Sequence, residues 1–304
     1  VLTSGGAALV VAALAVGGSS IAWHGSTGQE VFALNGLLAA LILRCATSHL
    51  PSAPRHLLLG LLFGLGASNH HTLILLLPLA VASLIRSRDD APWLGAGLFL
   101  AGGLIGLWPY LWLVKAGLRG GWVWGEVDTF SGWLEHLLRS QYGTLSLGLR
   151  EEAIQPLHQI GAALRALGAD LTLFVLPLAV AVVAVIRDIF RGKAQAAVVA
   201  LALSFLLSAV AFPALFNLPD SPLGHAVARR FYLLPLLLAL PLLAKGLTLL
   251  EGWLSPQLLR LTSGLALPFV MLLSLPRAGW SDWVESSLWD DLLPLPPHAL
   301  VLGQ

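Results

Sequence analysis

Charge is what this sequence has least of. Only 11% of its 304 residues are Asp, Glu, Lys or Arg, against about one-quarter in a soluble domain. Mean hydropathy is +0.82. A chain this poor in charge has too little polar surface for a water-facing exterior, so an integral membrane protein is expected. The charges nearly cancel, 17 basic against 16 acidic, and no basic cluster interleaves with aromatics, which removes nucleic acid from the partners. A single cysteine, Cys45, excludes an internal disulfide framework and a cysteine-based metal site. Strand-like alternation is missing as well, which argues against a β-barrel. Val1 to Gln29 contains no Asp or Glu, and this opening run lacks the basic n-region and small-residue cleavage site of a signal peptide.

What is present is apolar helix. A bilayer core about 30 Å thick is crossed by about 20 helical residues. Nine candidate runs extend approximately over Gly5–Ala22, Glu30–Ala46, His56–Ser68, His71–Ile85, Trp93–Val114, Asp170–Ile186, Ala194–Phe216, Phe231–Leu250 and Leu258–Leu275. The fold class expected is therefore all-α, a polytopic transmembrane helix bundle of about nine spans. Residues 1–275 form the transmembrane domain, with an outer amphipathic loop over about 115–169. Residues 276–304 read as the start of an extracytoplasmic segment cut short.

Leu57–Ile85 could be one long tilted helix or two short ones. At 1.5 Å per residue a single helix would reach about 43 Å, too long for an upright span. Two spans instead keep Arg55 and Arg86 on one side, which suits the preference of Lys and Arg for the cytoplasm. On that topology Arg44, Arg187, Arg191, Lys193, Lys245 and Arg260 also fall inside, and most of the acids outside.

The unusual polar groups then collect on the outer side. They are Glu30 after "WHGSTGQ", the pair in "GASNHHT", the loop segment "DTFSGWLEHLLRSQYGT", and "GHAVARRF". In the loop, Trp133, Leu134, Leu137 and Leu138 share one helical face, and Ile154, Leu157, Ile160, Leu164 and Leu167 line another. Such helices lie flat in a membrane interface, and the plain reading is an anchoring loop without chemistry. For His70 and His71 the plain reading is a polar helix junction capped by Ser68 or Asn69; the functional reading rests on the cost of ionisable groups at the membrane. Adjacent helical residues point about 100° apart, so the two imidazoles are a poor metal pair and no metal site is expected. Arg229 and Arg230 lie on the side where basic residues are disfavoured, and a phosphate partner would explain them. Glu30 at a span mouth can equally be an acid favouring a helix N-terminus.

Five segments, "GQEVFALNGLLAALIL", "GLLFGLGASNHHTLILLLPLA", "FSGWLEHLLRSQYGT", "ARRFYLLPLLLALPLLAKGL" and "LLPLPPHALVLGQ", resemble in that order successive segments of a bacterial family of multi-pass membrane proteins. That family is related to eukaryotic transmembrane protein O-mannosyltransferases, in the GT-C glycosyltransferase superfamily. The resemblance implies a transferase that moves a sugar, mannose first among candidates, from a polyprenyl phosphate donor to an acceptor hydroxyl on protein or glycan. It implies a setting in the bacterial inner membrane with the site facing outward. Asn69, His70 and His71 match the family's junction that meets the lipid phosphate, and Arg229 and Arg230 join them. Asp128, Glu135, His136, Arg139 and Tyr142 are candidates for sugar or acceptor contact. The family's first acidic loop has no counterpart before Glu30, so the chain reads as a central fragment, with Glu30 the one weak candidate for the catalytic acid. The resemblance requires no cofactor of this segment and leaves room for a divalent metal in the complete enzyme. A polytopic transporter and a non-catalytic assembly subunit are the competing readings. No inverted repeat or matched pair of broken helices supports the transporter.

Overall fold

The computed structural model describes residues 4–27, 31–86, 92–120, 127–138, 140, 155–216 and 218–252. Every regular element among the described residues is helical: α1 Ser4–Gly17, α2 Ser20–Thr27, α3 Phe32–Ala46, α4 Ser52–Asn69, α5 Leu77–Arg86, α6 Pro92–Gly106, α7 Pro109–Leu118, α8 Phe130–Leu138, α9 Pro156–Leu171, α10 Val175–Phe190, α11 Ala196–Leu206, α12 Pro222–Arg230 and α13 Leu233–Glu251. A 3₁₀ segment, His71–Leu76, leads into α5, and a π-helical turn, Leu207–Ala211, follows α11.

Four stretches are long and apolar enough to cross a membrane: Trp93–Leu118, Pro156–Phe190, Ala196–Leu215 and Leu233–Glu251. Ala8–Gly17, Phe32–Ala46 and His71–Arg86 are apolar but shorter. Fifteen residues of α3 rise only about 22 Å, so the nine runs counted in the sequence do not all reach across a bilayer alone. The last of those runs, Leu258–Leu275, and the segment 276–304 lie outside the described residues. Large apolar side chains face outward, Trp93 at 84%, Leu104 at 73% and Phe190 at 87% exposure, as befits helices whose solvent is lipid.

The chain turns back on itself at His70. Arg55 near the start of α4 donates from Nε to Ser83 Oγ near the end of α5 (3.0 Å), so the two helices are antiparallel. Arg86 donates to the carbonyls of Ala46 (3.1 Å) and Ser48 (2.8 Å) at the end of α3. Ala197 at the start of α11 shares a cleft with Ala82 and Arg86. The basic residues thus gather at one end of the bundle, where cations complement the last carbonyls of helices. α13 runs through the centre, with Leu236, Leu238, Leu242 and Leu243 fully buried.

Residues 156–190 form one continuous helical stretch with a break at Thr172, whose φ of 50° lies in the left-handed region. The face of α9 turned inward carries Gln159, Ala163, Leu167 and Leu171. Of the stripe aligned from sequence, Leu167 is buried but Leu157 and Leu164 are exposed, and Ile154 lies outside the described residues. In lipid the outward stripe is as apolar as the packed one, so hydrophobicity does not mark the inner face; small and polar residues do.

Candidate functional site

The end of the bundle opposite the basic caps holds the junction. α4 ends where the His70 backbone turns extended (φ −157°, ψ 127°), its N–H still bonded to Gly66 O at 2.7 Å. The His70 ring then folds over the next segment: Nδ1 accepts from the Thr72 backbone N–H (3.3 Å) and lies 2.9 Å from Thr72 Oγ1. Asn69 Nδ2 donates to Val31 O (3.0 Å), tying the junction to the mouth of α3. His71 Nε2 lies 2.7 Å from Leu137 O; a carbonyl only accepts, so this nitrogen carries the proton and holds α8 over the junction.

Beside the junction lies a small, narrow cleft lined by Phe32, Asn35, Thr72, Arg230, Phe231 and Leu234, among others. Phe231 is its aromatic hub. Its ring centroid is 5.4 Å from Phe32, 5.6 Å from His70, 5.6 Å from Phe212 and 5.5 Å from Phe216. The π-helical turn Leu207–Ala211 precedes Phe212 and carries that ring into the cluster. Asn35 is 3% exposed and donates from Nδ2 to Thr72 Oγ1 at 3.1 Å, while its Oδ1 is buried without a hydrogen bond.

The two arginines that the sequence treats as a pair part company. Arg230 lines the cleft. Arg229 turns to Asp170 (Nη2 to Oδ1, 3.6 Å) and also donates to Ser20 Oγ. The Asp170 side chain, 4% exposed, accepts from Ser20 Oγ (2.8 Å) and from the Ile21 N–H (2.7 Å), so one carboxylate joins α2, α9 and α12. At the other ends of α9 and α12, Asp220 sits between His158 (3.4 Å) and His225 (2.9 Å).

Of the loop candidates, Asp128 and Glu135 are exposed, and His136 lies half-buried with its ring 5.9 Å from Tyr110. Tyr110 donates to Ala67 O (3.4 Å), so α8 sits close to the junction through both Tyr110 and His71. Glu30, Arg139 and Tyr142 lie outside the described residues. Among the described residues no group of three or more His, Cys, Asp or Glu is arranged to hold a metal. The residues that sequence reading missed are Asn35, Thr72, Phe32, Phe231 and Asp170. Asn35 had a usable signal, a lone amide inside an otherwise apolar helix. Phe32 and Phe231 had none in a chain where apolar residues are everywhere.

Comparison with known proteins bears on this end of the chain. Residues 2–93, which include α3, α4 and the junction, match the family described as the protein O-mannosyl-transferase TMEM260 N-terminal domain. The mouse protein O-mannosyl-transferase TMEM260 is 33% identical over 145 residues, covering 44% of this chain and 20% of that protein. Its namesake from Dictyostelium discoideum is 30% identical over 151 residues, 42% of this chain and 18% of that one. The chain therefore spans about a fifth of the length of these curated relatives. No solved structure matches it significantly. In those matched stretches, this all-helical membrane chain is related to the protein O-mannosyl-transferases.

Proposed function

We propose that this chain is part of a membrane glycosyltransferase that moves mannose from a polyprenyl phosphate to a Ser or Thr hydroxyl of a protein on the outer face of a bacterial inner membrane. The observation that carries the reading is the convergence of Arg230, Asn35 and Thr72 on one aromatic-walled cleft at the end away from the basic caps, with His70 bonded to Thr72 beside it. The relation to O-mannosyl-transferases supports it. In the reaction the acceptor oxygen bonds to the anomeric carbon, and the carbon–oxygen bond to phosphate breaks with its electron pair leaving on the phosphate. The hydroxyl proton goes to a base, for which Glu30 is our candidate. Charge develops on the departing phosphate, where a guanidinium fork and an imidazole N–H stabilise it most. Arg230 and His70 take those roles. Asn69 and His71 fix the junction's position, Arg229 holds the helix that carries Arg230, and Asp128, Glu135, His136, Arg139 and Tyr142 belong to the acceptor side.

The test is mannosyl transfer from a synthetic polyprenyl-phosphate mannose to a Ser/Thr peptide, using the protein as its gene encodes it, reconstituted in liposomes. Arg230→Ala and His70→Asn are expected to lower kcat at least tenfold, in line with the roughly 10²–10³ cost of removing one donor to a developing oxyanion. Asparagine still caps the helix that follows, so that loss would be chemical and not structural. Absence of transfer from any polyprenyl-phosphate sugar, together with substrate uptake into sealed vesicles, would replace the reading with transport.

A further inference from the structure

Asn35 brings an amide to the wall of the cleft and uses only half of it. It stands in the first turn of α3 and is the only polar residue of that helix before Arg44. Thr72 decides which way the amide faces. The Thr72 backbone N–H donates to His70 Nδ1 (3.3 Å), so that nitrogen presents a lone pair, and the Thr72 hydroxyl 2.9 Å away gives it its single hydrogen. Toward Asn35 the hydroxyl then has only lone pairs, and the Asn35 Nδ2 donates to them at 3.1 Å. The other edge of the amide, Oδ1, is buried without a hydrogen bond.

A buried acceptor left unmet costs more than most hydrogen bonds contribute, and the tie between α3 and Thr72 needs the amide nitrogen alone. The carbonyl therefore calls for a donor from outside the chain. The rest of the cleft narrows the chemistry of that donor. Arg230 lines the same cleft, and its guanidinium carries several N–H donors, more than a single partner uses, in a fork that matches phosphate. Phe32 and Phe231, ring centroids 5.4 Å apart, make the walls apolar, which strengthens any hydrogen bond formed between them. The cleft has room for about one water-sized group, so a ligand can insert a hydroxyl there while its ring stays outside. A hydroxyl donor and a phosphate held so close together describe one end of a glycosyl phosphate. Of the sugar's hydroxyls, only that on C2 is next to the carbon bearing the phosphate.

We propose that Asn35 is a specificity-determining residue whose Oδ1 accepts the C2 hydroxyl of the lipid-linked sugar while the phosphate lies at Arg230. Mannose and glucose differ only in the direction of that hydroxyl, so the residue that holds it chooses between them. The inference rests on the glycosyltransferase reading for its ligand, a polyprenyl-phosphate sugar.

Binding and transfer are measured separately, on the protein as its gene encodes it in lipid nanodiscs. Synthetic polyprenyl-phosphate mannose competes against its radiolabelled form, beside donors carrying 2-deoxymannose, 4-deoxymannose and glucose. Wild type is expected to bind the 2-deoxy and glucose donors about tenfold more weakly than the mannose donor, the equivalent of one hydrogen bond, and the 4-deoxy donor within about threefold of it. In Asn35→Leu the mannose and 2-deoxy donors are expected to bind alike, and Asn35→Ala serves should the leucine variant fail to fold. The ratio between donors separates recognition from structure, because a residue that only supports the fold would weaken both donors equally and leave their ratio at the wild-type value. That result overturns the proposal. So does equal binding of the mannose and 2-deoxy donors by wild type, which needs no variant and would mean that the carbonyl meets no sugar hydroxyl. A loss as large with the 4-deoxy donor overturns the assignment to C2, and binding of none of these donors overturns the subsite altogether. Discrimination at C2 that depends on Asn35, without transfer to any Ser/Thr peptide, would sink the glycosyltransferase reading and leave the hydroxyl subsite standing.

Discussion

Asp170 shows how one residue separates two arginines that look equivalent in sequence. Successive residues on a helix point about 100° apart, so in the last turn of α12 only one of Arg229 and Arg230 can face the cleft. Asp170 selects Arg229 for the interior, accepting at the same time from the first residues of α2, where a carboxylate also suits the helix dipole. Replacing Asp170 with Asn is expected to leave the Arg229 charge partly buried without its counter-ion, at a cost of about 3 kcal/mol, measured by thermal unfolding in detergent. Asp170→Asn combined with Arg229→Met is expected to recover much of that loss, since replacing both partners removes the stranded charge. An unfolding temperature unchanged by the single substitution would show that the pair contributes nothing. This partnership was illegible in the sequence. Asp170 and Arg229 stand far apart along the chain, with no periodicity relating them, and a phosphate partner explained both arginines equally well until Asp170 was placed.

At the scale of elements, glycines let the backbones of α4 and α6 come into close contact. A β-carbon on Gly60 would run into the Phe99 carbonyl, one on Gly64 into that of Gly103, and one on Gly106 into that of Leu61. Without a hydrophobic force between helices in lipid, such close approach is what drives association, and the four-residue spacing of Gly60 and Gly64 is the pattern that permits it. Gly64→Leu is therefore expected to push α4 off α6 and destabilise the fold by about 3 kcal/mol or more, since no side-chain motion can relieve a clash with backbone. Tryptophan fluorescence during denaturation in detergent reads the loss, and wild-type stability would refute close packing here. Thr172 offers the opposite case. A β-branched residue at φ 50° is strained, and Thr172→Gly is expected to raise stability by about 1 kcal/mol, provided the break itself is kept. The fold class and the turn at His70 could be read in advance because they follow from the bilayer's thickness and from the shared side of Arg55 and Arg86. The helix faces could not, because the outward and inward stripes of a lipid-bathed helix are equally apolar, as Leu157 and Leu167 of α9 illustrate.

For the molecule as a whole, the two ends of the bundle differ in kind. At one end Arg55 and Arg86 are consumed in capping carbonyls and hydroxyls, with Arg187 in the last turn of α10 and Arg191 and Lys193 in the turn between α10 and α11. At the other stand the junction, the cleft and the Asp170 clamp. If positive charge marks the cytoplasmic side, the chemistry proposed above faces outward, and a lipid-linked donor would meet its acceptor there. Because Cys45 is the sole cysteine, a Cys45→Ala background lets each end be probed separately. Gln195→Cys, exposed at the start of α11, and Leu223→Cys, exposed on α12, change no charge and so leave the orientation signal intact. In intact cells a membrane-impermeant maleimide is expected to label Leu223→Cys alone, with Gln195→Cys reacting only after permeabilisation. The reverse pattern would turn the cleft toward the cytoplasm and exclude an extracytoplasmic acceptor, whatever the fate of His70. Labelling of both ends in intact cells would mean that the chain does not place them on opposite sides, and would remove the bundle's polarity as an argument for the proposed reaction.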